Sequence, residues 1–505
     1  MHLLMGPQLT RCARLHPQSA HGKTVAPSSE YAECSPHPFA RSSRPRPLSP
    51  QSPNNAKRRS SRISASRRLL AKQVARAVFR CTCEEFVAEI AGKRRKPYLD
   101  ALKSTFRTIV LGKSTLVKEM SSFLRENGGR LERKRVQELM SGWLNAYDFA
   151  ALPNPYLLAR SAADVTDEAT LAVDFSDISK EFGGDGMEGM EMGCDGSRRC
   201  TATGHDFISV SLVGAAYREA FPVYAKLGMG RHCHADLIYG AIRAVMEGTG
   251  GLGWLVFDRG MDDARFLRTM KRDGRKAVVR VKDEGRDVFG DGRTVGGALA
   301  DVPFAKARLK TCRGDRLAEV RCRVGHVRYC ADPRCKDAVA EDIGVLVVES
   351  RFGGKSLCLC VVCPDEVLAD RRAMFAWAVR AAQAYCDRWQ IETSFLTVKQ
   401  EFALEKARVR TFRRLENIFA LCMLAHVFMI GHIKRSKRFS RIVKALSDNA
   451  ADIALRTHSL LAGIRTLASK ARIRFISGRP RTRGRLLPGQ LTLDLRTADG
   501  SVYRL

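Results

Sequence analysis

Apolar residues recur at helical spacing through residues 371–402, a stretch that contains neither glycine nor proline. This pattern predicts one amphipathic α-helix. One face of that helix, an arc of roughly 60° at about 100° per residue, carries Tyr385, Arg388, Glu392 and Lys399. Alone, such a face is typical of a surface helix with ion pairs at three- and four-residue spacing. The rest of the chain favours a different interpretation.

Strand and helix patterns alternate between residues 171 and 281. The predicted strands are Leu171–Asp177, Phe207–Val213, Glu219–Leu227, Gly253–Asp258 and Ala277–Val281, and the predicted helices are Ala235–Glu247 and Asp262–Arg272. The second and third strands alternate apolar and polar residues, which predicts an antiparallel pair. The glycine-rich residues 182–200, between the first and second strands, are predicted to form a flexible loop. This order indicates an α/β fold with one mixed central sheet flanked by helices.

Short strand patterns separated by turn residues follow at residues 283–352, which predicts a β-rich insertion. Its strands are predicted at Ala318–Val324, His326–Cys330 and Val345–Glu349. Leu357–Val362 is predicted as the last strand of the sheet before the long helix. Two further helices are predicted after it, an apolar one at Leu415–Lys434 and a second at Ile442–Leu467.

The N-terminal part of the chain divides into two regions. Residues 1–80 are predicted to be a disordered basic segment, because residues 1–56 are rich in Pro and Ser without periodicity. Those first residues could also be upstream sequence wrongly joined to the reading frame. Residues 81–155 are predicted to form a helical domain, and its basic helices favour DNA binding. The four helices are predicted at Glu84–Ala91, Tyr98–Val110, Ser114–Asn127 and Leu131–Tyr147. The catalytic region is then predicted at 165–435 and a helical, basic C-terminal segment at 436–505.

The charge of the chain points to a polyanionic partner. Its 86 Lys and Arg residues exceed its 53 Asp and Glu residues by 33, and such an excess favours nucleic acid. Nine basic residues and no acidic one occur between Lys57 and Arg80, and eight basic residues and no acidic one between Arg465 and Arg485. Either segment could lie on DNA phosphates or remain a solvated basic tail. We predict no membrane span, since no run of 18 apolar residues occurs, and no signal peptide.

The 16 cysteines do not follow a zinc-site pattern. Paired C-x2-C spacing is lacking, and Cys358–Cys363 overlaps an apolar strand in which cysteine acts as a small hydrophobic residue. His232, Cys233 and His234 could bind a metal, but no neighbouring residues complete a ligand set. Reduced, buried thiols are the preferred interpretation, which suits the cytosol.

Three carboxylates stand out by their positions. Asp174 and Asp258 each end an apolar strand, and Glu392 lies on the long helix. Carboxylates at the ends of neighbouring buried strands can meet at one sheet edge, where Mg²⁺ binds with water and phosphate oxygens. Two such ions can activate an attacking oxygen and stabilise a leaving one in phosphodiester chemistry. Each aspartate alone is weak evidence, because aspartate is common after strands.

These positions resemble a known protein family. Tyr385, Arg388, Glu392 and Lys399 have the spacing Y-x2-R-x3-E-x6-K of bacterial insertion-sequence transposases of the DDE class. The stretch LAVDFSDISK at residues 171–180 resembles the strand that carries the first aspartate of that family. The segment VFDRG at 256–260, followed by Asp263 and the pair Phe266-Leu267, resembles the strand and helix of the second.

The resemblance implies a ribonuclease H-like core with a β-strand insertion before the last catalytic helix. Asp174, Asp258 and Glu392 would be the catalytic metal ligands, and Tyr385, Arg388 and Lys399 would contact DNA. It implies two Mg²⁺ or Mn²⁺ ions, double-stranded DNA (transposon ends and target) as partner, a homodimer on DNA, and the bacterial cytoplasm at the nucleoid. Phe175 stands where the family usually has glycine, so either Asp174 or Asp177 could be the first ligand; Asp174, nearer the strand core, is preferred.

Two other functions remain open at this point. A DNA-binding protein derived from a transposase could keep the fold and lose catalysis. A ribonuclease H-like nuclease could cut DNA with the same residues and not join strands.

Overall fold

The fold is known from a computed structural model. It describes residues 79, 82–126, 131–180, 186–195, 200–214, 219–230, 234–282, 294–310, 317–329, 343–352, 355–433, 461, 464, 465, 494–496 and 502–504. The predicted disordered segment lies outside these residues except for Phe79. The predicted helix at 442–467 and the basic stretch that follows it lie outside them except for three positions.

A ten-stranded mixed sheet organises the chain, which confirms the predicted α/β class. Its strands are β1 (Thr170–Ser179), β2 (Glu191–Asp195), β3 (Cys200–Val213), β4 (Phe221–Leu227), β5 (Trp254–Phe257), β6 (Lys276–Arg280), β7 (Ala305–Lys310), β8 (Leu317–Tyr329), β9 (Ile343–Phe352) and β10 (Lys355–Val362). Their order is β2-β3-β1-β5-β6-β10-β9-β8-β7, and β4 also pairs with β3. A separate pair is formed by β11 (Asp494–Arg496) and β12 (Val502–Arg504).

The middle of the sheet is parallel. β1 pairs with β5, and β5 with β6, in parallel register, while the other neighbours are antiparallel. These strands are near-continuous apolar runs, as expected where both faces of a sheet are covered. The register pairs Val173 with Phe257 as the last pair between β1 and β5. The next residues, Asp174 within β1 and Asp258 after β5, are therefore neighbours where this pairing ends.

Helices cover both faces of this sheet. They are α1 (82–91), α2 (Lys96–Gly112), α3 (Val117–Glu126), α4 (Arg133–Ala146), α5 (Pro153–Ser161), α6 (His234–Gly248), α7 (Ala264–Arg272), α8 (Asp365–Ala369), α9 (Arg371–Arg388), α10 (Gln390–Leu396) and α11 (Phe412–Val427). The helices α6 and α7 pack against one face through Leu237, Ile242 and Phe266. On the other face, α9 packs through Ala378 and Ala381, whose small side chains let the helix approach the strands closely.

The N-terminal helices share a hydrophobic core with α11. Phe86, Phe106 and Leu144 are fully buried together with Phe428 and other residues around α11. The ring centres of Phe86 and Phe106 lie 5.1 Å and 5.6 Å from the ring centre of Phe428. The domain boundary at residue 155 stays a prediction, but these helices pack directly on the part of the chain that follows the sheet.

Asn417 on α11 ties the end of the N-terminal helices to this core. Its Oδ1 accepts hydrogen bonds from the backbone N–H groups of Phe149 and Ala150, both at 2.8 Å. Its Nδ2 donates to the carbonyl oxygens of Leu144 and Tyr147, both at 2.8 Å. The side chain is 1% exposed, so all four bonds replace contacts with water that burial removes.

The segment Phe412–His432 is the one described segment long and apolar enough to span a membrane by length and composition. In this fold 83% of its most apolar window is buried by the protein's own residues. Its hydrophobicity is explained by its central position, because a helix that is apolar all round is typical of a buried core element.

The observed strands differ from the predicted ones in three places. The strands predicted at 318–324 and 326–330 form one strand, β8, because Gly325 continues the ladder opposite Val347. The strand β7 was not predicted, although its residues alternate between apolar and basic ones. Part of the predicted flexible loop, Glu191–Asp195, is the strand β2 and pairs with β3. Local composition did not reveal these long-range pairings.

The long helix predicted at 371–402 is interrupted. α9 ends at Arg388, the exposed Trp389 separates it from α10, and a π-helical turn follows at Thr397–Glu401. Wide π turns are uncommon and change the angle between successive side chains. The ideal 100° spacing therefore no longer applies between Glu392 and Lys399.

Candidate active site

Asp174 and Asp258 lie where the pairing between β1 and β5 ends, and hydrogen bonds hold both. The prediction that Asp174 ends its strand is wrong, because β1 continues along β3 to Ser179. Asp174 Oδ1 accepts a bond of 2.9 Å from the backbone N–H of Phe175. Asp258 Oδ1 accepts a bond of 2.9 Å from the hydroxyl of Tyr385 at the end of α9. Side chains from β1, from the end of β5 and from α9 thus lie together here.

Arg388 joins Asp174 to Glu392. Its Nη1 lies 2.5 Å from Asp174 Oδ2, and its Nη2 lies 3.1 Å from Glu392 Oε1. The guanidinium is buried and lies 5.3 Å from the centre of the Tyr385 ring. One planar cation therefore holds a strand carboxylate and a helix carboxylate on its two terminal nitrogens.

The three carboxyl groups titrate differently. Burial raises the pKa of Asp174 to about 6, and the charges of Asp258 and Glu392 add to this effect while Arg388 opposes it. Burial also raises the pKa of Glu392, against the attraction of Arg388. At Asp258 burial acts in the same direction, but the backbone N–H of Arg259, Arg388 and the Tyr385 hydroxyl together leave its pKa below the usual value. Asp258 thus keeps its negative charge most readily.

Lys399 lies with a different carboxylate. Its Nζ is 2.7 Å from Asp177 Oδ1 and 3.5 Å from Glu405 Oε1. Asp177 also accepts a hydrogen bond from the Ser179 hydroxyl. Of the two aspartates considered for the first ligand, Asp174 is the one that shares Arg388 with Glu392, whereas Asp177 pairs with Lys399.

Lys180 fixes the segment that carries Glu405. Its buried ammonium donates to the carbonyl oxygens of Glu405 at 2.6 Å and Ala407 at 2.8 Å, and to that of Leu404 at 3.4 Å. The turn beside Lys399 is therefore held from β1. The stretch at residues 171–180, which ends at Lys180, does not indicate this role in the sequence, because the carbonyl groups belong to residues more than 200 positions away.

The titration of Lys180 gives a test of this arrangement. Burial lowers its pKa from 10.5 to about 8, so between these values the unfolded chain binds a proton that the folded chain does not. Stability therefore rises with pH in this range. Relative to Lys180→Met, the wild type should gain about 2 kcal/mol of unfolding free energy between neutral pH and about pH 10. Urea denaturation measures this, and a pH-independent difference between the two proteins would contradict it.

Two residues at the site were missed from the sequence. Arg280 ends β6 beside β5, and its charge helps to lower the pKa of Asp258. Gln390 holds the start of α10 on the end of β3, since it accepts from Gly214 N at 3.1 Å and donates to Gly214 O at 3.3 Å. The role of Arg280 follows only from the order of the strands. Gln390 lies within the segment from Tyr385 to Lys399, and its polar side chain there could have suggested a role.

Asp263, in the segment that resembles the second-aspartate region, has a structural role. Its Oδ1 accepts from the backbone N–H groups of Arg265 and Phe266 at 2.9 and 3.1 Å, which caps α7. In the cluster considered for zinc, His234 Nε2 lies 2.5 Å from Asp206 Oδ2 and its ring packs on Phe175. The other two members of that cluster lie outside the described residues.

The donor set of the site suits a hard divalent cation, because it consists of carboxylates. As arranged, however, no three Asp, Glu, His or Cys side chains in the described part of the chain are grouped as metal ligands. Arg388 supplies the positive charge among the carboxylates instead. The residues thus fit such an ion in chemical type, and Arg388 takes up two of the oxygens that an ion would use.

Arg465, from the second predicted phosphate-contacting stretch, faces inward. It donates to the carbonyl of Val110 at 3.1 Å and pairs with Glu401 at 2.8 Å. Its guanidinium is therefore engaged within the protein. The rest of that stretch lies outside the described residues.

Part of the chain matches a known protein family. Residues 239–428 match the model of a family described as the transposase DDE domain, which supports a DDE-type transposase. The matched range contains Asp258, Tyr385, Arg388, Glu392 and Lys399, and it begins after Asp174. The mixed sheet with its helices is consistent with the ribonuclease H-like fold of such enzymes. No curated protein matches the chain.

Proposed function

We propose that the protein is an insertion-sequence transposase that binds the terminal inverted repeats of its own element and catalyses metal-dependent DNA cleavage and strand transfer. One observation carries the proposal: Asp174 in β1 and Asp258, directly after the neighbouring parallel strand β5, lie around the same guanidinium as Glu392 from α10. An arrangement of carboxylates from separate elements, with a cation, is suited to phosphoryl chemistry on a polyanion.

In this proposal Asp174, Asp258 and Glu392 hold Mg²⁺ or Mn²⁺, with two ions expected. When bound, such ions activate an attacking oxygen and stabilise the leaving oxygen of a phosphodiester. The Tyr385 hydroxyl orients the Asp258 carboxylate and helps to keep it ionised. Gln390 holds α10 on β3, which places Glu392 at the same edge as the two aspartates.

DNA contacts are proposed for the cationic residues of the site and for the N-terminal helices. Arg388 and Lys399 can bind phosphates on either side of the reactive one. On α4, the exposed Arg133, Lys134 and Gln137 line a groove with Arg125 of α3, a surface suited to the terminal repeats. Pairing two element ends favours a homodimer on DNA, in the bacterial cytoplasm at the nucleoid.

The test uses the DNA that flanks the reading frame. We expect the full-length protein to cut a fragment carrying the element ends in Mg²⁺ or Mn²⁺, to expose 3′-OH groups, and to join them to target DNA. A fragment of equal length without the ends is the matched control, since a contaminating nuclease would cut both. Cutting that persists in EDTA, or equal cutting of both fragments, would contradict the proposal.

The same assay separates the two other functions. Salt-sensitive binding of the ends without any cleavage would favour a DNA-binding protein that has lost catalysis. Cleavage without joined products would favour a nuclease that does not transfer strands.

A further inference from the structure

Arg388 is buried between the groups proposed to hold metal ions. Its side chain is 7% exposed, whereas Asp174 is 21% and Glu392 35% exposed. Its Nε has no hydrogen-bond acceptor among the described residues. The guanidinium is thus held through its two terminal nitrogens, and its Nε is buried without an acceptor among the described residues.

A divalent ion and this guanidinium would compete for the same oxygens. Asp174 Oδ2 and Glu392 Oε1 both accept hydrogen bonds from Arg388. An ion bound to these two oxygens would leave a buried guanidinium without its counter-charges and beside a double positive charge. Breaking a buried ion pair in this way is strongly unfavourable, so the guanidinium must move or gain another anion.

Lys399, like Arg388, is paired with carboxylates of the protein, since its ammonium lies beside Asp177 and Glu405. Both basic side chains proposed to contact DNA therefore already have carboxylate partners within the protein. A phosphate oxygen is a comparable acceptor for a guanidinium, and the planar fork of arginine binds phosphate in the bidentate manner in which it binds carboxylate. A phosphate could thus replace Asp174 and Glu392 as the acceptor of Arg388.

We propose that Arg388 couples DNA binding to metal binding: a DNA phosphate takes over the guanidinium, and Asp174 and Glu392 then become available to a divalent ion. This inference rests on the proposed function and adds its regulation. The site stays closed to ions until DNA is present, which restricts metal-dependent cleavage to the bound complex. By linkage, an ion must raise DNA affinity by the same factor by which DNA raises ion affinity.

The first experiment measures Mn²⁺ binding by the full-length protein without DNA, by calorimetry at mildly alkaline pH. We expect Arg388→Gln to bind Mn²⁺ on the order of tenfold more tightly than the wild type, within the usual range for coupled sites. Arg380→Gln is the matched control, because it removes the same charge from the same helix, α9, where Arg380 pairs with Glu168 and contacts neither Asp174 nor Glu392. Its affinity should stay within about twofold of the wild type under physiological screening.

The second experiment measures affinity for mixed-sequence duplex DNA with and without Ca²⁺. Wild-type affinity should rise with the ion, whereas that of Arg388→Gln should change much less. If Arg388→Gln fails to fold, Arg388→Lys serves in its place, since an ammonium cannot form the two-nitrogen bridge between both carboxylates.

Three results would overturn the coupling. These are equal Mn²⁺ affinity of the wild type and Arg388→Gln, an equal gain in Arg380→Gln, or a DNA affinity of the wild type that does not change with Ca²⁺. A protein that cleaves element ends and gives any of them would refute the coupling alone. Failure of cleavage with the expected binding data would refute the proposed function alone.

Discussion

Replacing Glu392 by Gln is expected to slow DNA cleavage about 1,000-fold or more, since losing a metal-binding carboxylate removes several kcal/mol of transition-state stabilisation. The fold should be preserved. Glutamine has the same shape and its amide oxygen can still accept from Arg388 Nη2. Burial already raises the pKa of Glu392, so a neutral side chain is tolerated at this position.

The measurement is the single-turnover cleavage rate together with DNA affinity for wild type and variant. Affinity should change little, because Arg388 and Lys399 are retained. Glu366→Gln removes the same charge from an exposed position on α8 and should cut DNA at the wild-type rate. Cleavage by Glu392→Gln at a rate near that of the wild type would assign catalysis to other residues.

Replacing Asn417 by Ala should lower the free energy of unfolding by about 4 kcal/mol, because each buried backbone group left unsatisfied costs about 1–3 kcal/mol. Four such groups lose their partner, two N–H groups and two carbonyls at the end of the N-terminal helices. The side chain is buried on α11, so water has little access to replace it. Chemical denaturation followed by circular dichroism gives this value.

Asn154→Ala is the matched control for this substitution. Asn154 is half-buried, and its Oδ1 accepts one described hydrogen bond, from the backbone N–H of Ala225 at 2.9 Å. Its loss should cost about 1 kcal/mol, the usual net value of one hydrogen bond. Equal losses for the two variants would show that the N-terminal helices do not depend on Asn417.

The sequence by itself determined the elements with strong local signals. The short runs Leu171–Val173, Trp254–Phe257 and Ala277–Val279 are buried and apolar, so their strand character and the α/β class were predictable. Position in the chain also placed Asp174 and Asp258 after buried strands and Glu392 on a helix. These assignments depend on local periodicity, which a sequence contains directly.

Only the tertiary structure decided which charges meet. An ideal helix predicted one face for Arg388, Glu392 and Lys399. Arg388 and Glu392 remain paired across the break at Trp389, whereas Lys399, in the π turn at Thr397–Glu401, has other partners. Arg388 lies with Asp174, and Lys399 with Asp177. The contributions of Lys180 and Asn417 were hidden for a related reason. Their hydrogen bonds join residues more than 200 positions apart, and such contacts depend on packing of the whole chain, which local patterns do not encode.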